Sequence, residues 1–295
     1  MSDTSLSSVP FFRTVASLRA HISNVRRAGR SIGFVPTMGA LHAGHASLIE
    51  AAARAGHFVV VSIYVNPTQF GPNEDFTAYP RSIEADAAIC RDSGADAIFA
   101  PNDAEMYPPG EETRVRPGPL ADRMCGRFRP GHFEGVCTVV AKLFNFVQPD
   151  VAYFGQKDAQ QARILGKMVD DLGFPVRLVV CPIVREPDGL AMSSRNSYLS
   201  PTERSSALCL YHALSLGRDR LAAGEKDLAA IVRLMQEEVH RVAGVRDGHV
   251  TIDYIEINDP DSLMALTAPG KRMLLAGAIR IGRTRLIDNL LVTSD

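Results

Sequence analysis

Ser31-Ile-Gly-Phe-Val35 is followed directly by Pro36-Thr-Met-Gly-Ala-Leu-His-Ala-Gly-His45, and together they predict a strand, a glycine-containing turn and a helix start. The residues after the turn, Ala46 to Ala55, have the pattern of a helix. His42 and His45 lie at positions i and i+3, so both fall on one face of its first turn. A helix start presents unpaired backbone N–H groups and the positive end of the helix dipole, and it therefore binds phosphate well. The stretch predicts a phosphate site.

Other interpretations of this stretch stay open. A glycine-rich turn between a strand and a helix is common in α/β proteins. The two histidines could also form half of a zinc site, but zinc needs three or four ligands and the sequence offers no obvious third. They could also be ordinary residues of a helix start.

Around this stretch, apolar strands alternate with helical patterns through roughly the first 180 residues. Strands separated by helices predict a parallel, doubly wound sheet. Ligands of such sheets bind beyond the carboxyl ends of the strands, where the loops after Val35, Asn66 and Phe154 begin. The predicted strands are 31–35, 57–66, 97–100, 150–155 and 176–184, and the predicted helices are 44–55, 82–93, 135–147 and 158–172.

The pattern changes after Val184, so we expect a domain boundary there, with domains 1–184 and 185–295. A polar loop, 185–196, is followed by two predicted helices and three apolar runs, of which the last two form a hairpin across Gly282-Arg283. The predicted fold is α/β, with a smaller C-terminal α+β domain. The helices are 202–222 and 227–242, and the apolar runs are 251–257, 271–281 and 284–292.

Composition limits the class of protein. The chain has 295 residues, 46% hydrophobic and 22% charged, with a formal net charge of −1 and no long basic run. A dedicated nucleic-acid binder would usually show a basic face, so no nucleic-acid partner is expected. The 5 cysteines are scattered and form no C-x-x-C, which predicts reduced thiols in a cytosolic protein. The polar N-terminus and the lack of a long apolar run predict no signal peptide and no membrane span.

Two polar clusters follow other predicted strands. Asn66 and Gln69 are neutral hydrogen-bonding residues that suit a substrate with hydroxyl groups, although a capped turn would use the same residues. Lys157 lies between Gly155 and a helix start capped near Asp158. A lysine here could meet a phosphate, or it could be an ordinary surface lysine.

A third cluster, Met192-Ser-Ser-Arg195, lies in the polar loop. Two hydroxyls and a guanidinium in succession can hold a polyphosphate. The glycine-containing flank predicts a mobile lid that becomes ordered with ATP, because little apolar burial is expected to hold it still. The alternative is a solvated linker that caps the next helix.

Together these stretches resemble a known family. His42-Ala-Gly-His45 resembles the H-x-G-H signature of the nucleotidyltransferase superfamily, and Met192-Ser-Ser-Arg195 resembles its second, lysine/serine-type loop. The resemblance extends from about residue 10 to the C-terminus. Four further stretches narrow it to the pantothenate synthetase (pantoate–β-alanine ligase) family: Pro36-Thr-Met-Gly39, Asn66-Pro-Thr-Gln-Phe70, Arg129-Pro-Gly-His-Phe-Glu-Gly135 and Phe154-Gly-Gln-Lys-Asp158.

The resemblance implies an enzyme that joins pantoate to β-alanine with ATP and Mg²⁺, through a pantoyl adenylate, and releases AMP and pyrophosphate. It implies a Rossmann-like N-terminal domain, a C-terminal lid domain and a cytoplasmic homodimer. The partners would be pantoate, β-alanine and ATP. A closing lid would protect the labile acyl adenylate from water.

The resemblance also implies site residues, and no metal ligands are identified among them. Gln69 and Gln161 would hold pantoate, with Asn66 beside them, and His45 would be the proton donor. The catalytic set would be His42, His45, Lys157, Ser193, Ser194 and Arg195. ATP would be bound by Met38, Gly39, Ala40, Leu41, His42, Ala43, Gly44, His45, Gly155, Gln156, Lys157, Asp158, Val184, Met192, Ser193, Ser194 and Arg195.

Three alternatives remain at this point. The chain could be a different nucleotidyltransferase that makes a dinucleotide or a CDP-linked product. It could be a non-catalytic nucleotide-binding regulator on the same fold. It could also be a zinc protein that uses His42 and His45.

Overall fold

The computed structural model describes residues 9–72, 74–244 and 250–294. The chain forms two compact units, of which the first comprises Met1–Arg116, Gly131–Gly155 and Leu165–Cys181, and the second comprises Pro117–Pro130, Gln156–Ile164 and Pro182–Asp295.

This grouping differs from a single division at residue 184. Two short segments of the range 1–184 group with the C-terminal residues, and side-chain hydrogen bonds connect them. Arg127 pairs with Glu256, and the Asn289 side chain donates to the main-chain carbonyl of Gln156.

The first unit contains a six-stranded parallel sheet, which confirms the α/β prediction. The strand order is β1-β4-β3-β2-β5-β6, so the chain reverses its direction of winding between β2 and β5. Loops at such a switch point are where ligands of doubly wound sheets bind. The strands are β1 Phe11–Phe12, β2 Ile32–Thr37, β3 Phe58–Ile63, β4 Ala97–Phe99, β5 Val151–Gly155 and β6 Arg177–Cys181.

Helices connect these strands. The predicted helices are confirmed, but β1, the first helix and the short helix Asp103–Met106 were not predicted. The buried side chains of the first helix are only Leu18 and Ile22. The sixth helix begins in the second unit and ends in the first. The helices are α1 Val15–Arg27, α2 Ala43–Arg54, α3 Ile83–Asp92, α4 Asp103–Met106, α5 His132–Val147 and α6 Ala159–Leu172.

The core of the first unit explains why α2 begins where it does. Leu48, Ile49 and Ala52 of α2 are buried against apolar residues of the sheet, including Val35 and Val59. Five consecutive residues at the start of β3 are buried, as expected for a strand of a parallel sheet that is covered on both faces. Packing of its apolar stripe therefore fixes α2 on the sheet and places its N-terminus beyond the end of β2.

The second unit has a three-stranded antiparallel sheet in the order β7-β8-β9. The predicted hairpin is confirmed, with Ile281 paired to Thr284. The predicted helix at 202–222 is instead two helices, and the Ser205 hydroxyl bonds the Pro201 carbonyl, a contact that often bends helices. The elements are α7 Pro201–Ser206, α8 Cys209–Ala222, α9 Leu228–Ala243, β7 Val250–Asn258, β8 Arg272–Ile281 and β9 Thr284–Thr293.

In the part of the chain that the structure describes, no helix combines the length and apolar character needed to cross a membrane.

Candidate active site

The two histidines predicted to face a phosphate cap the start of α2. His42 is the N-cap residue, and its Nδ1 accepts a hydrogen bond from the Gly44 N–H at 3.1 Å. The Nδ1 of His45 accepts from the His42 N–H at 3.3 Å, and the ring centroids are 4.1 Å apart. This is a reciprocal capping box in which imidazoles replace the usual Ser or Thr and Glu or Gln. Because both Nδ1 atoms accept, each neutral ring has its proton on Nε2, which makes Nε2 a donor.

The zinc interpretation finds no support at this helix start. Within residues 9–72, 74–244 and 250–294, no group of three or more His, Cys, Asp and Glu side chains is arranged to hold a metal ion. His42 and His45 therefore have no third ligand there from which a zinc site could be built.

The turn before α2 has an unusual backbone, and Asp86 of α3 holds it. Gly39 and Ala40 both have positive φ, at 80° and 50°. The Asp86 carboxylate accepts the N–H of Ala40 at 3.1 Å and of Leu41 at 2.7 Å. A Cβ at Gly39 would lie 2.8 Å from an Asp86 oxygen, so only glycine lets the turn come this close. One buried carboxylate thus fixes the two residues that lead into His42.

Asp86 was not predicted as a site residue, although its position on α3 gives a signal. Asp86 and Cys90 are the two buried residues of α3, spaced one helical turn apart. A carboxylate on the apolar stripe of a helix is rarely buried without partners. Burial raises the pKa of Asp86, and the hydrogen bonds from Leu41 and Ala40 oppose that rise.

Asn66 and Gln69 lie together after β3, and both are buried. The Gln69 amide nitrogen donates to the sulfur of Met38 at 3.0 Å, so the structure brings the second predicted cluster to the first. The Asn66 amide donates to Gln69 Oε1 and to the Gly135 carbonyl, each at 3.1 Å. Both donors of Asn66 are therefore used within the protein, where they orient Gln69. A direct contact of Asn66 with substrate stays a prediction.

Helix α5 packs closely through Gly135 on the 3-10 turn Pro67–Gln69, which we call the Gln69 turn. A Cβ at residue 135 would lie 2.3 Å from the Thr68 carbonyl oxygen and 2.7 Å from the Gln69 main-chain nitrogen. The buried His132 Nδ1 lies 2.8 Å from the Gln69 carbonyl oxygen, which can only accept. The stretch Arg129 to Gly135 entered the sequence analysis through its resemblance alone, and here two of its residues shape the Gln69 turn.

A second polar group lies within the second unit, where Gln156–Asp158 form one 3-10 turn before α6. Burial lowers the pKa of Lys157, the charges of Asp158 and Asp288 oppose this, and Arg195 adds to it. The positive charge of Arg195 thus acts on Lys157, and the binding of one anion by both residues stays a prediction. Gln161 lies in the first turn of α6.

The predicted lid, 185–196, is partly a small hairpin. Met192 N–H donates to the Val184 carbonyl at 3.0 Å, and Leu190 and Ala191 are each only 5% exposed. The expectation that little apolar surface holds this loop is wrong for these two residues, because the hairpin turns them inward. Ser193 caps the 3-10 turn Ser194–Tyr198 by accepting the Arg195 N–H at 3.3 Å. Mobility of the loop without nucleotide stays a prediction.

The predicted site residues thus form one group in each unit, and their ligand roles stay predictions. The first unit holds Met38, Gly39, Ala40, Leu41, His42, Ala43, Gly44, His45, Asn66 and Gln69, with Gly155 as the last residue of β5. The second unit holds Gln156, Lys157, Asp158, Gln161, Val184, Met192, Ser193, Ser194 and Arg195.

Comparison with known proteins gives one consistent result. A family model described as pantoate-beta-alanine ligase matches residues 10–291. The chain is 51% identical over 280 residues to a pantothenate synthetase of Moorella thermoacetica, covering 95% of this chain and 97% of that protein. It is 49% identical over 280 residues to pantothenate synthetase 1 of Bradyrhizobium diazoefficiens, covering 95% and 96%.

Solved structures agree in fold. The crystal structure of pantothenate synthetase from Thermus thermophilus matches with a TM-score of 0.88 and 47% identity, covering 95% of this chain and 98% of that one. Pantoate-beta-alanine ligase from Francisella tularensis, solved with beta-gamma ATP and beta-alanine, matches with a TM-score of 0.78 and 34% identity, covering 96% and 97%.

Proposed function

This chain belongs to the pantoate–β-alanine ligase family, and from that membership we propose that it condenses pantoate with β-alanine to pantothenate at the expense of ATP. The Francisella relative was solved with beta-gamma ATP and beta-alanine, which supports ATP as co-substrate. AMP and pyrophosphate are the other products.

The reaction runs through a pantoyl adenylate. A carboxylate oxygen of pantoate attacks the α-phosphorus of ATP, the bond from that phosphorus to the bridging oxygen breaks, and pyrophosphate leaves. The β-alanine amine then attacks the acyl carbon, a C–N bond forms, and AMP leaves with the former carboxylate oxygen. The amine proton goes to solvent or to a nearby base. No step needs a protein nucleophile, so positioning and charge stabilisation do most of the catalysis.

The observation that carries this proposal is the imidazole capping box at the start of α2. The positive end of the helix dipole and the Nε2 donors of His42 and His45 suit the negative charge that develops on the α-phosphate. Hydrogen bonds at Nδ1 keep both rings oriented before substrate arrives. His45 acts as proton donor in this proposal.

Lys157, Arg195, Ser193 and Ser194 would supply the charge and hydroxyls that a polyphosphate needs. Lys157 supplies a compact, partly buried charge, and Arg195 supplies a planar fork that bonds two phosphate oxygens at once. Ser193 and Ser194 add hydroxyls, and the Ser193 hydroxyl also fixes the turn that holds Arg195.

We propose that Mg²⁺ binds together with ATP. Protein sites that use Mg²⁺ with ATP usually bind it through substrate phosphates and only one or two carboxylates. The described residues contain no cage of three such ligands, so we assign no protein ligand to the ion and route no step through it.

We place the enzyme in the cytoplasm as a homodimer, as its family resemblance implies. All five cysteines are free and buried, which suits a reducing compartment. Light scattering of the purified protein would measure the oligomeric state.

Oxygen labelling tests the function and the intermediate together. Pantoate with an ¹⁸O-labelled carboxylate should transfer one label to AMP during turnover with β-alanine. Pyrophosphate should appear with pantoate and ATP alone, in an amount close to that of the enzyme. Label found in inorganic phosphate, with ADP as product, would show a different activation chemistry. Nucleotide or CDP-linked acceptors in place of pantoate test the other nucleotidyltransferase activities.

Gln69→Ala should weaken pantoate binding while leaving ATP binding nearly unchanged. The amide is buried and oriented by Asn66, so its loss leaves a substrate hydroxyl without a partner. Such a loss costs about 1–3 kcal/mol, or roughly tenfold to a hundredfold in affinity. Titration calorimetry with each ligand measures this, and equal losses for the two ligands would contradict the assignment.

Asp86→Asn should lower the adenylation rate by roughly tenfold to a hundredfold, because it places an amide donor against one of two N–H donors in the turn before His42. Single-turnover formation of pyrophosphate measures the rate, and thermal unfolding checks the fold. Asp92→Asn at the end of the same helix, where the side chain is 67% exposed, is the matched control. A wild-type rate for Asp86→Asn would show that the turn keeps its shape without the carboxylate.

A further inference from the structure

Strand β9 has two adjacent buried polar residues, Asp288 and Asn289, which are 5% and 2% exposed. Neighbouring residues of a strand face opposite sides of the sheet, so both sides are covered at this point. The proposed reaction gives neither residue a role. A buried amide and a buried carboxylate in one strand need hydrogen-bond partners. The partners of Asn289 lie in the 3-10 turn Gln156–Asp158, which we call the Lys157 turn.

Asn289 binds the main chain on both sides of the Lys157 Cα atom. Its Nδ2 donates to the carbonyl of Gln156 at 2.9 Å and to the carbonyl of Lys157 at 3.0 Å. Its Oδ1 accepts from the Gln156 side-chain amide at 3.3 Å. A side-chain NH₂ group has two hydrogens, so one residue holds both carbonyls in place. Fixing two successive peptide groups fixes the direction in which the residue between them extends its side chain.

A buried ion pair in turn fixes Asn289. The Asp288 carboxylate accepts the Asn289 N–H at 2.7 Å. Arg185 donates to both Asp288 oxygens, at 2.6 and 2.9 Å, and its guanidinium lies 4.3 Å from the Tyr211 ring centre. Such a bidentate pair is geometrically specific. The contacts therefore form a chain from Tyr211 through Arg185 and Asp288 to Asn289 and the Lys157 turn.

We propose that Asn289 is a positioning residue for Lys157: its amide fixes the 3-10 turn so that the ammonium points at the polyphosphate of ATP. The inference rests on the proposed function, because it takes Lys157 to be the group that meets the nucleotide. The Arg185–Asp288 pair holds Asn289 in register, and the charge of its Asp288 member acts on the ammonium.

A double-mutant cycle tests whether Asn289 acts through Lys157. Asn289→Asp keeps the size of the side chain but presents oxygens to the two carbonyls. It should lower the adenylation rate about tenfold to a hundredfold, since misplacing a catalytic group by about 1 Å costs up to about a hundredfold. In a Lys157→Ala background the same change should alter the rate less than about twofold, because no ammonium remains to be positioned. If Asn289→Asp lowers the adenylation rate by the same factor in both backgrounds, Asn289 has a merely structural role and the proposal is overturned.

Two further variants guard against a trivial loss of fold. Asn289→Ala removes the donors without adding repulsion and should show the same non-additivity. Asn258→Ala removes another buried amide of the same sheet, one that bonds Glu256 rather than the Lys157 turn, and its effect should be additive with Lys157→Ala. Thermal unfolding identifies folded variants. If neither Asn289 variant folds, Asn289 is a folding residue and the proposal is overturned.

Binding gives a second cycle that needs no turnover. Calorimetric titration with ATP alone should show a loss of affinity for Asn289→Asp that disappears in the Lys157→Ala background. If the wild-type protein releases no pyrophosphate with pantoate, the proposed function fails, while this binding cycle still decides whether Asn289 acts through Lys157. Additive losses of ATP affinity would overturn the positioning role by themselves.

Discussion

His45→Ala should reduce the rate of pantoyl adenylate formation by roughly a hundredfold or more, because it removes a preorganised donor directed at the developing charge, a loss of about 3 kcal/mol. Single-turnover measurement of the acyl adenylate is the assay. The substitution also removes one half of the capping box, which costs about 1 kcal/mol of stability. The loss of transition-state stabilisation should therefore exceed the loss in free energy of unfolding.

His45→Gln separates these two effects. Glutamine is a usual residue at this position of a capping box, so its side chain can accept the His42 N–H and restore the cap. An amide cannot transfer its proton as an acid, which is the role proposed for His45. We expect near wild-type unfolding temperature with a rate close to that of His45→Ala. A rate within threefold of wild type for either variant would rule out the catalytic role of His45.

Lys157→Ala should reduce adenylation by a similar factor, on the order of a hundredfold, because it removes a partly buried positive charge from the polyphosphate. The effect should appear mainly in the chemical step, measured by rapid quench with saturating ATP. Burial lowers the pKa of Lys157, so the wild-type rate should fall on the alkaline side at a lower pH than an exposed lysine would titrate. This alkaline fall should be absent in the alanine variant.

Lys167→Ala is the matched control, because Lys167 lies on α6, is 51% exposed and pairs with Asp171 one turn away. Exposed pairs of this kind contribute about 0–1 kcal/mol to stability, so the substitution should leave the fold intact. Equal rate losses for the two lysine variants would mean that general charge, rather than the position of Lys157, assists the reaction.

The sequence predicted those parts of the molecule that leave a local pattern. Hydrophobic periodicity and turn residues are visible within short windows of sequence. They were therefore sufficient to predict the alternation of strands and helices and the hairpin across Gly282-Arg283. Helix α1 was missed because its buried stripe is only Leu18 and Ile22, too narrow to stand out from a polar segment.

Residues that act across long sequence distances were harder to predict. Asp86 bonds Leu41, 45 residues away, and Asn289 bonds Gln156, 133 residues away. Neither has neighbours in sequence that reveal the contact. The resemblance named the residues expected to touch ligands, but it gave no information on the side chains that hold those residues in place. The contacts made by these supporting side chains depend on how the chain packs, so they become visible only in the folded structure.

The close approach at Gly135 has a consequence for protein engineers. Helix α5 carries a glycine in its first turns, a choice that weakens a helix by roughly 1 kcal/mol relative to alanine. The helix accepts this cost because a single methyl group would collide with the Thr68 carbonyl and displace Gln69. Redesign of this enzyme for a bulkier acid should therefore leave residue 135 untouched and seek room elsewhere. The position of the Gln69 amide thus depends on the lack of a Cβ atom at residue 135. Mutant libraries that vary only polar side chains would not reveal this constraint.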